Sequence, residues 1–395
     1  MNARIKTFHS STGDCIFILL TEGERRFSVM VDCGSFEEPI AQFVREELEW
    51  KIDLLIVTHI DNDHITGVTD MLEKQHVEVR RIVFNCYQRT GNGDLKKLTK
   101  YQKERLAEIE REIGLIVGDI VEHNVGANDA VTGLATTILK KPSLKEKWDS
   151  DYSVSGKKID LGEWGVITFL SPTMKEIERL DQKFRHVLFD ELNVDQTMGQ
   201  WDKQENLYEI LLRYAMLQQG EEAEEKDAAG ADTLEERLQN AAKRPAHTEK
   251  ITAENQASLA LVWEKGDHKI LILGDANPDV VVAGLIDHYK NKAFPVVFDA
   301  IKVAHHGSHY NTTAELMRHA DSSHFFFTGG TEGKRPSEEA LGRIALWPLP
   351  DGLAKRTLHF NYETSLVEEL KGDKTLQEKY HFSIDTRKNE HRFPI

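Results

Sequence analysis

The side chains best suited to chemistry fall in one heptapeptide, Thr58-His59-Ile60-Asp61-Asn62-Asp63-His64, directly after the apolar run DLLIV. His59, Asp61, Asp63 and His64 can all bind a metal, and they stand together at a predicted strand end. On a tight loop, alternate residues such as His59 and Asp61 can face one point while Asp63 and His64 face a neighbouring one. Imidazole nitrogens mixed with carboxylate oxygens suit zinc, manganese or similar divalent ions. A polar turn that only capped the next helix would need one such side chain. Two later runs repeat the arrangement: ILILGD ends on Asp275, and IKVAHHGS places His305 and His306 after another apolar stretch. Asp32, in VMVDCGS, is a further case. A Gly-Asp turn or a histidine pair alone is ordinary. Several strands of one chain, each ending in a metal-competent side chain, form a far more specific pattern.

These residues need strands to carry them. CIFILL, FSVMVDCG, DLLIVTHI and RRIVFNCY are short apolar runs rich in β-branched residues and bounded by turn formers. Ile40, Phe43, Val44 and Leu48 recur at helical spacing between the second and third runs. A second helix is expected from about Thr66 through VTDMLEK, and a charged helical segment over 95–113. GLIVGDIVEHNV, KKIDLG and GVITFL read as three more strands. From 173 to 250 the pattern changes: MKEIERLDQKF and LYEILLRYAMLQQ are amphipathic helices, and GEEAEEKDAAGAD is an acidic loop. We read this stretch as an insertion into a single domain spanning 1–395. SLALVWEKGDHKILILGD then reads as a hairpin turning at Lys265-Gly266-Asp267. VFDAIKVAHHG and HFFFTGG are further strands, ALGRIALW is a helix, and 350–395 is a β-like extension with RTLHFNY and YHFSID. Strands in two batches with helices between them predict a layered α/β sandwich with two sheets.

The run T-H-x-D-x-D-H resembles the H-x-[HD]-x-D-H motif of the metallo-β-lactamase superfamily. VDCGS, ILILGDA and VAHHGS follow its other motifs in the same order. The HxDxDH variant, the Asn255-x-x-Ser258-Leu259 lead-in to GDA and HHGS together resemble the branch containing the soluble domain of ComEC competence proteins. The resemblance covers roughly 5–90 and 250–345. It implies a four-layer αββα sandwich with two mixed β-sheets and one or two divalent ions, zinc or manganese. Asp275 would bridge them, His59 and Asp61 would hold the first, and Asp63, His64 and His306 the second. Asp63, His305 and Ser308 would take part in catalysis, with Asn311 near the substrate phosphate or leaving group. Asp32 and Asn255 would support the ligands from behind. Where relatives often read Leu-His-Pro, this chain has Leu170-Ser171-Pro172, which weakens the first site. His123, His186 and His247 are the candidates to replace that histidine.

Composition bounds the function. The 395 residues carry 50 basic and 66 acidic side chains, a formal charge of −16, which is a poor global match to a long polyanion. A local cleft can still differ, and Arg80, Arg81, Arg89, Lys96, Lys97, Lys100, Lys103 and Arg105 form a basic strip against Asp94 and Glu104. Lys302, Lys334 and Arg335 could add charge near strand ends. Cys15, Cys33 and Cys86 are too sparse for a disulfide framework and form no zinc knuckle. No apolar run is long enough for a membrane helix and the first residues resemble no secretory signal, so a cytoplasmic protein is expected. The expected function is a metal-dependent nuclease or phosphodiesterase. The substrate would be a nucleic acid or other phosphodiester, and a protein partner from the same operon is conceivable. The alternatives are a small-molecule ester or lactone hydrolase, and a catalytically weak interaction or regulatory protein on the same fold.

Overall fold

The computed structural model describes residues 1–11, 13–86, 99–120, 133–193, 207–219, 233–330 and 334–395. Its first sheet has six strands, in the order Glu390–Pro394, Asn2–Thr7, Cys15–Glu22, Arg25–Cys33, Leu54–Val57, Ile82–Phe84. The first three pairings are antiparallel and the last two parallel. The second sheet has eight: Phe382–Asp385, Arg356–Phe360, His324–Phe327, Ala300–Lys302, His268–Ile272, Ala260–Lys265, Val166–Ser171 and Lys158–Asp160. Its first five strands run parallel and the remaining pairings are antiparallel.

Successive side chains of a strand point to opposite faces, and Leu54–Val57 shows how that builds layers. Leu54 and Ile56 join the core between the sheets, with Ile16, Ile18, Phe169, Leu261, Trp263 and Ile272. Leu55 and Val57 join a second core beneath helices such as Glu38–Glu46 and Asn62–Lys74. A third core, containing Leu271, Ile301 and Phe325, lies under Pro278–His288 and Glu338–Ala345 on the outer face of the second sheet. The result is helix, sheet, sheet, helix, with mixed sheets as expected. Helices of the 173–250 stretch feed both outer cores: Ile177, Leu180 and Phe184 one, Leu234 and Leu238 the other.

Several local expectations need correction. GLIVGDI is the end of the helix Lys100–Ile120 and not a strand. The helix expected from Thr66 begins at Asn62, so the metal-competent loop runs straight into it. VFDAIKVA divides into Val296–Phe298 and Ala300–Lys302, and the 350–395 extension contains helices Ser365–Gly372 and Lys374–Lys379. The hairpin is present, with Lys265 opposite His268 and Gly266 at φ 60°. The acidic loop at 220–232 lies outside the described residues. Among the described residues no helix is long and apolar enough to cross a membrane.

A histidine cluster seals the seam between the C-terminal strand and the second sheet. His324 Nδ1 lies 2.9 Å from His359 Nε2, His359 Nδ1 lies 3.0 Å from Asp385 Oδ2, and His391 stacks on His324 at 3.5 Å. Burial, then His391 and His359, push His324 down to about 3. Burial, with His391 and against Asp385, pushes His359 down to about 4. An unfolded histidine titrates near 6.5, so below that pH the unfolded chain binds more protons than the folded one. The cluster's contribution is therefore complete above about pH 6.5 and is lost as pH falls toward 4. The melting temperature of the wild type should fall more steeply between pH 6.5 and 4 than that of His324→Gln; parallel curves would contradict this account.

Candidate metal centre

The parallel strands of both sheets deliver their C-terminal ends to one place. Leu54–Val57 leads to His59, Asp61, Asp63 and His64; His268–Ile272 leads to Asp275; Ala300–Lys302 leads to His305 and His306. His59, His64 and Asp275 hold donor atoms within 4.8 Å of one another, and so do Asp63, His64 and His306. His59 Nε2 stands 3.6 Å from Asp61 Oδ2 and 3.7 Å from Asp275 Oδ2. His64 Nε2 stands 3.5 Å from Asp275 Oδ2 and 3.6 Å from Asp63 Oδ2. These separations approach the edge of about 3.4 Å expected between ligands of a tetrahedral ion with bonds of about 2.1 Å.

Each imidazole turns the same nitrogen inward because the other one is engaged. His64 Nδ1 donates to Asp32 Oδ2 at 2.9 Å, and His306 Nδ1 to the Thr328 carbonyl at 3.0 Å. His305 Nδ1 lies 3.1 Å from Asn311 Oδ1. Asp32 also accepts from Thr58 N and from Thr58 Oγ1, each at 2.7 Å, so that hydroxyl accepts in turn from His59 Nδ1 at 2.9 Å. Ser258 Oγ is 3.2 Å from the same nitrogen and accepts from Asp275 N at 3.0 Å. All four Nε2 atoms are thereby left to face the carboxylates. Holding this geometry involves left-handed backbone at Asp32, His305 and His306, with φ of 57°, 47° and 55°. Such conformations are sparsely populated by residues other than glycine and cluster at functional sites.

The donor set fits a cation. His59 Nε2, His64 Nε2, Asp61 Oδ1 and Asp275 Oδ1 are buried without a hydrogen-bond partner in the structure. Asp61 occupies the N-cap position of Asn62–Lys74, yet its side chain makes no capping bond. Burial alone would raise Asp275, but His305, His64 and His59 hold it well below the usual carboxylate range. Burial would likewise depress His64, and Asp275, Asp63 and Asp32 lift it well above the ordinary value. His305 differs: burial and the Arg335 guanidinium push it down to about 3, so Nε2 keeps its lone pair, 3.5 Å from Asp275 Oδ2.

The motif reading missed a supporting layer. Asp14 is fully buried, pairs with the equally buried Lys302, accepts from Thr328 Oγ1, and lies 3.3 Å from His306 Nδ1 and 3.9 Å from His64 Nδ1. Lys302, read from the sequence as a charge near a strand end, is thus an internal counter-ion to Asp14. Gly13 and Gly34 press on the metal loop, since a Cβ would meet the Asp63 carbonyl oxygen at 1.7 Å and 2.4 Å. Gly13→Ala should therefore displace Asp63 and abolish metal retention, measured by elemental analysis. Gly372→Ala, whose Cβ meets nothing within 4 Å, should leave retention intact; equal retention by the two would refute the clamp.

Other expectations change on contact with the fold. Ser308 and Asn311 are fully buried. Ser308 Oγ accepts from Tyr310 N at 3.3 Å, and Asn311 Nδ2 donates to the Asp275 and Ala276 carbonyls at 2.9 and 3.1 Å. These bonds brace the turn. Asn255 sits in the short helix Ala253–Gln256 with its backbone N–H on Thr252, while Ser258 touches the histidine. The Ser171 hydroxyl is buried without a partner, opposite Ala260 in the sheet. His186 and His247 are exposed and His123 lies outside the described residues. Of the basic strip's described residues, Arg80 pairs with Asp53, Arg81 with Asp149, Lys100 with Glu104, and Arg105 with Glu191. Arg89, Lys96 and Lys97 lie outside the described residues.

Residues 13–135 match the family model described as Metallo-beta-lactamase superfamily. The solved metallo-beta-lactamase fold protein YhfI from Bacillus subtilis is similar at 8% identity and a TM-score of 0.34, covering 99% of each chain. A variant of CmlA beta-hydroxylase is similar at 9% identity and 0.35, covering 100% of this chain and 54% of its own. Rubredoxin oxygen:oxidoreductase from Desulfovibrio gigas follows at 9% and 0.20, covering 97% and 89%. No curated protein matches the sequence. The matched segment contains Asp14, Asp32 and the His59–His64 loop. The match spans under half of the chain and, with the two mixed sheets, is consistent with a metallo-beta-lactamase fold.

Proposed function

We propose that this protein is a metal-dependent phosphodiesterase, acting on nucleic acid or another phosphodiester. The observation that carries the reading is the convergence of partnerless buried donors on His59, His64, Asp61 and Asp275. Asp61 with His59 would hold one divalent ion, zinc or manganese, and Asp63, His64 and His306 a second, with Asp275 between them. Ions held there would acidify water and neutralise charge on a phosphoryl oxygen. Asp32 and Ser258 fix the two histidines of the motif loop. His305, neutral and anchored by Asn311, turns the Nε2 lone pair toward Asp275. Arg335, close enough to act on His305 through its charge, supplies a cation toward an anionic substrate.

A second reading is a small-ester hydrolase. The insertion helix Met174–Leu192 reaches the vicinity of the centre through Lys183, which pairs with Glu254 at 2.6 Å, and so favours a narrower cleft. The test incubates metal-loaded protein with single-stranded DNA, duplex DNA, a nitrophenyl phosphodiester and a lactone. Phosphodiester cleavage that needs manganese or zinc and vanishes in the double variant Asp63→Ala, His64→Ala is the expected result. Lactone cleavage alone would select the second reading. No cleavage by a fully loaded protein would refute both and leave a binding role.

A further inference from the structure

We propose that Cys15 and Cys33 are a modification site, a thiol pair that closes into a cross-strand disulfide under peroxide and so loosens the metal centre. The bond itself needs no metal; its effect rests on the metal-centre reading above. Cys15 opens the strand Cys15–Glu22 and Cys33 ends Arg25–Cys33, and the two stand opposite each other in an antiparallel ladder. Gly34 N donates to the Asp14 carbonyl at 2.9 Å, one residue outside the pair on each strand. That bond marks the pair as the kind without hydrogen bonds of its own, in which Cα atoms approach to about 4.5 Å and side chains are closest. Disulfides span about 4.4–6.8 Å between Cα atoms, so the spacing admits one. Both thiols are free and fully buried, and both point into the core beneath Asn62–Lys74, on one face of the sheet.

The pair is tied to the metal loop by its neighbours in sequence. The register skips one residue beside the pair, since Ile16 lies opposite Val31. The residue left over is Asp32, a left-handed bulge whose carboxylate holds His64 Nδ1 and Thr58. On the other strand Asp14 precedes Cys15 and lies 3.3 Å from His306 Nδ1. Cys33 Sγ donates to the Ser35 carbonyl at 3.2 Å and packs on the helix Asn62–Lys74, where a Cβ on Gly67 would meet it at 2.7 Å. A sulfur–sulfur bond of about 2.05 Å draws that sulfur off both contacts and pulls on the bulge. Burial, then the Cys33 thiol, hold the Cys15 thiol well above its ordinary value, so it stays protonated and reacts only when the strand ends open. One sulfur then attacks hydrogen peroxide, giving a sulfenic acid and water. The second thiol displaces the sulfenic oxygen as another water, and the sulfur–sulfur bond forms. The pair gives up two protons and two electrons, and the peroxide is reduced to water.

Two buried thiols that only pack would leave the centre untouched by peroxide. The test treats the full-length, zinc-loaded protein with hydrogen peroxide, zinc being redox-inert, and follows peptide mass, zinc affinity and thermal unfolding. The expected product is a peptide pair joined at Cys15 and Cys33, lighter by two hydrogens than the reduced pair. Zinc affinity should fall about tenfold or more, as when a partner behind a ligand is disturbed, and return on reduction with dithiothreitol. Cys15→Ala, with Cys33→Ser as the second variant should the first unfold, should bind zinc as the untreated wild type does and keep it through peroxide. No joined peptide in the treated wild type would overturn the proposal. A joined peptide with unchanged zinc affinity, or equal zinc loss in the variant, would overturn the pair's control of the centre. A wild type that forms the bond but never takes up zinc would overturn the metal-centre reading, and that control with it, and leave the bond standing.

Discussion

Asp275→Asn is expected to remove both ions and to reduce hydrolysis by about a hundred- to a thousandfold, the range seen when one preorganised stabilising group is lost from a reacting centre. Among the described residues Asp275 is the one carboxylate that faces His59, His64 and His305 together, at 3.7, 3.5 and 3.5 Å. The amide keeps the shape but loses the negative charge and half the acceptor capacity. Its backbone bond to Ser258 Oγ and the Asn311 brace survive, so the fold should persist. Elemental analysis, circular dichroism and the cleavage assay on one preparation separate these effects. A folded variant that keeps two ions and substantial activity would refute the bridging role.

Lys302→Met carries the largest expected effect on stability. Lys302 and Asp14 are both buried, with side-chain exposures of 0% and 1%. Removing one partner of a buried pair leaves the other charge uncompensated and typically costs about 3–5 kcal/mol. His306 and His64 lie near enough to Asp14 to soften the loss. They would do so at the expense of their own orientation, so metal affinity should fall with stability. Adding Asp14→Asn should recover part of the stability, since no buried charge is then stranded. Denaturant unfolding of the two single variants and the double one gives the coupling; additive losses would show that the pair does not act as a unit.

The architecture and the first ring of the site were legible for different reasons. The inner strands are short apolar runs that end on polar side chains, so DLLIV, ILIL and IKVA declared both a strand and what it delivers. Asn2–Thr7 escaped notice because Arg4 and Lys6 interrupt its inward-facing Ala3 and Ile5, and Glu390–Pro394 is more polar still. GLIVGDI misled because a short apolar run has no period of its own. The helix is declared by Leu106, Ile109 and Ile113, buried at spacings of three and four.

Asp14 and Lys302 were illegible as site residues for another reason. Each is an ordinary charged residue locally, and only the meeting of two sheets brings it to the centre. Gly13 and Gly34 are of the same kind, since their role is set by the carbonyl oxygen of Asp63 and not by their neighbours in sequence.

The account's central claim, that these side chains hold divalent ions, is tested most directly by anomalous X-ray scattering from crystals grown with zinc or manganese. Two peaks are predicted, one bounded by His59, Asp61 and Asp275 and the other by Asp63, His64 and His306. No peak at this place in metal-saturated crystals, or peaks only elsewhere on the molecule, would contradict it.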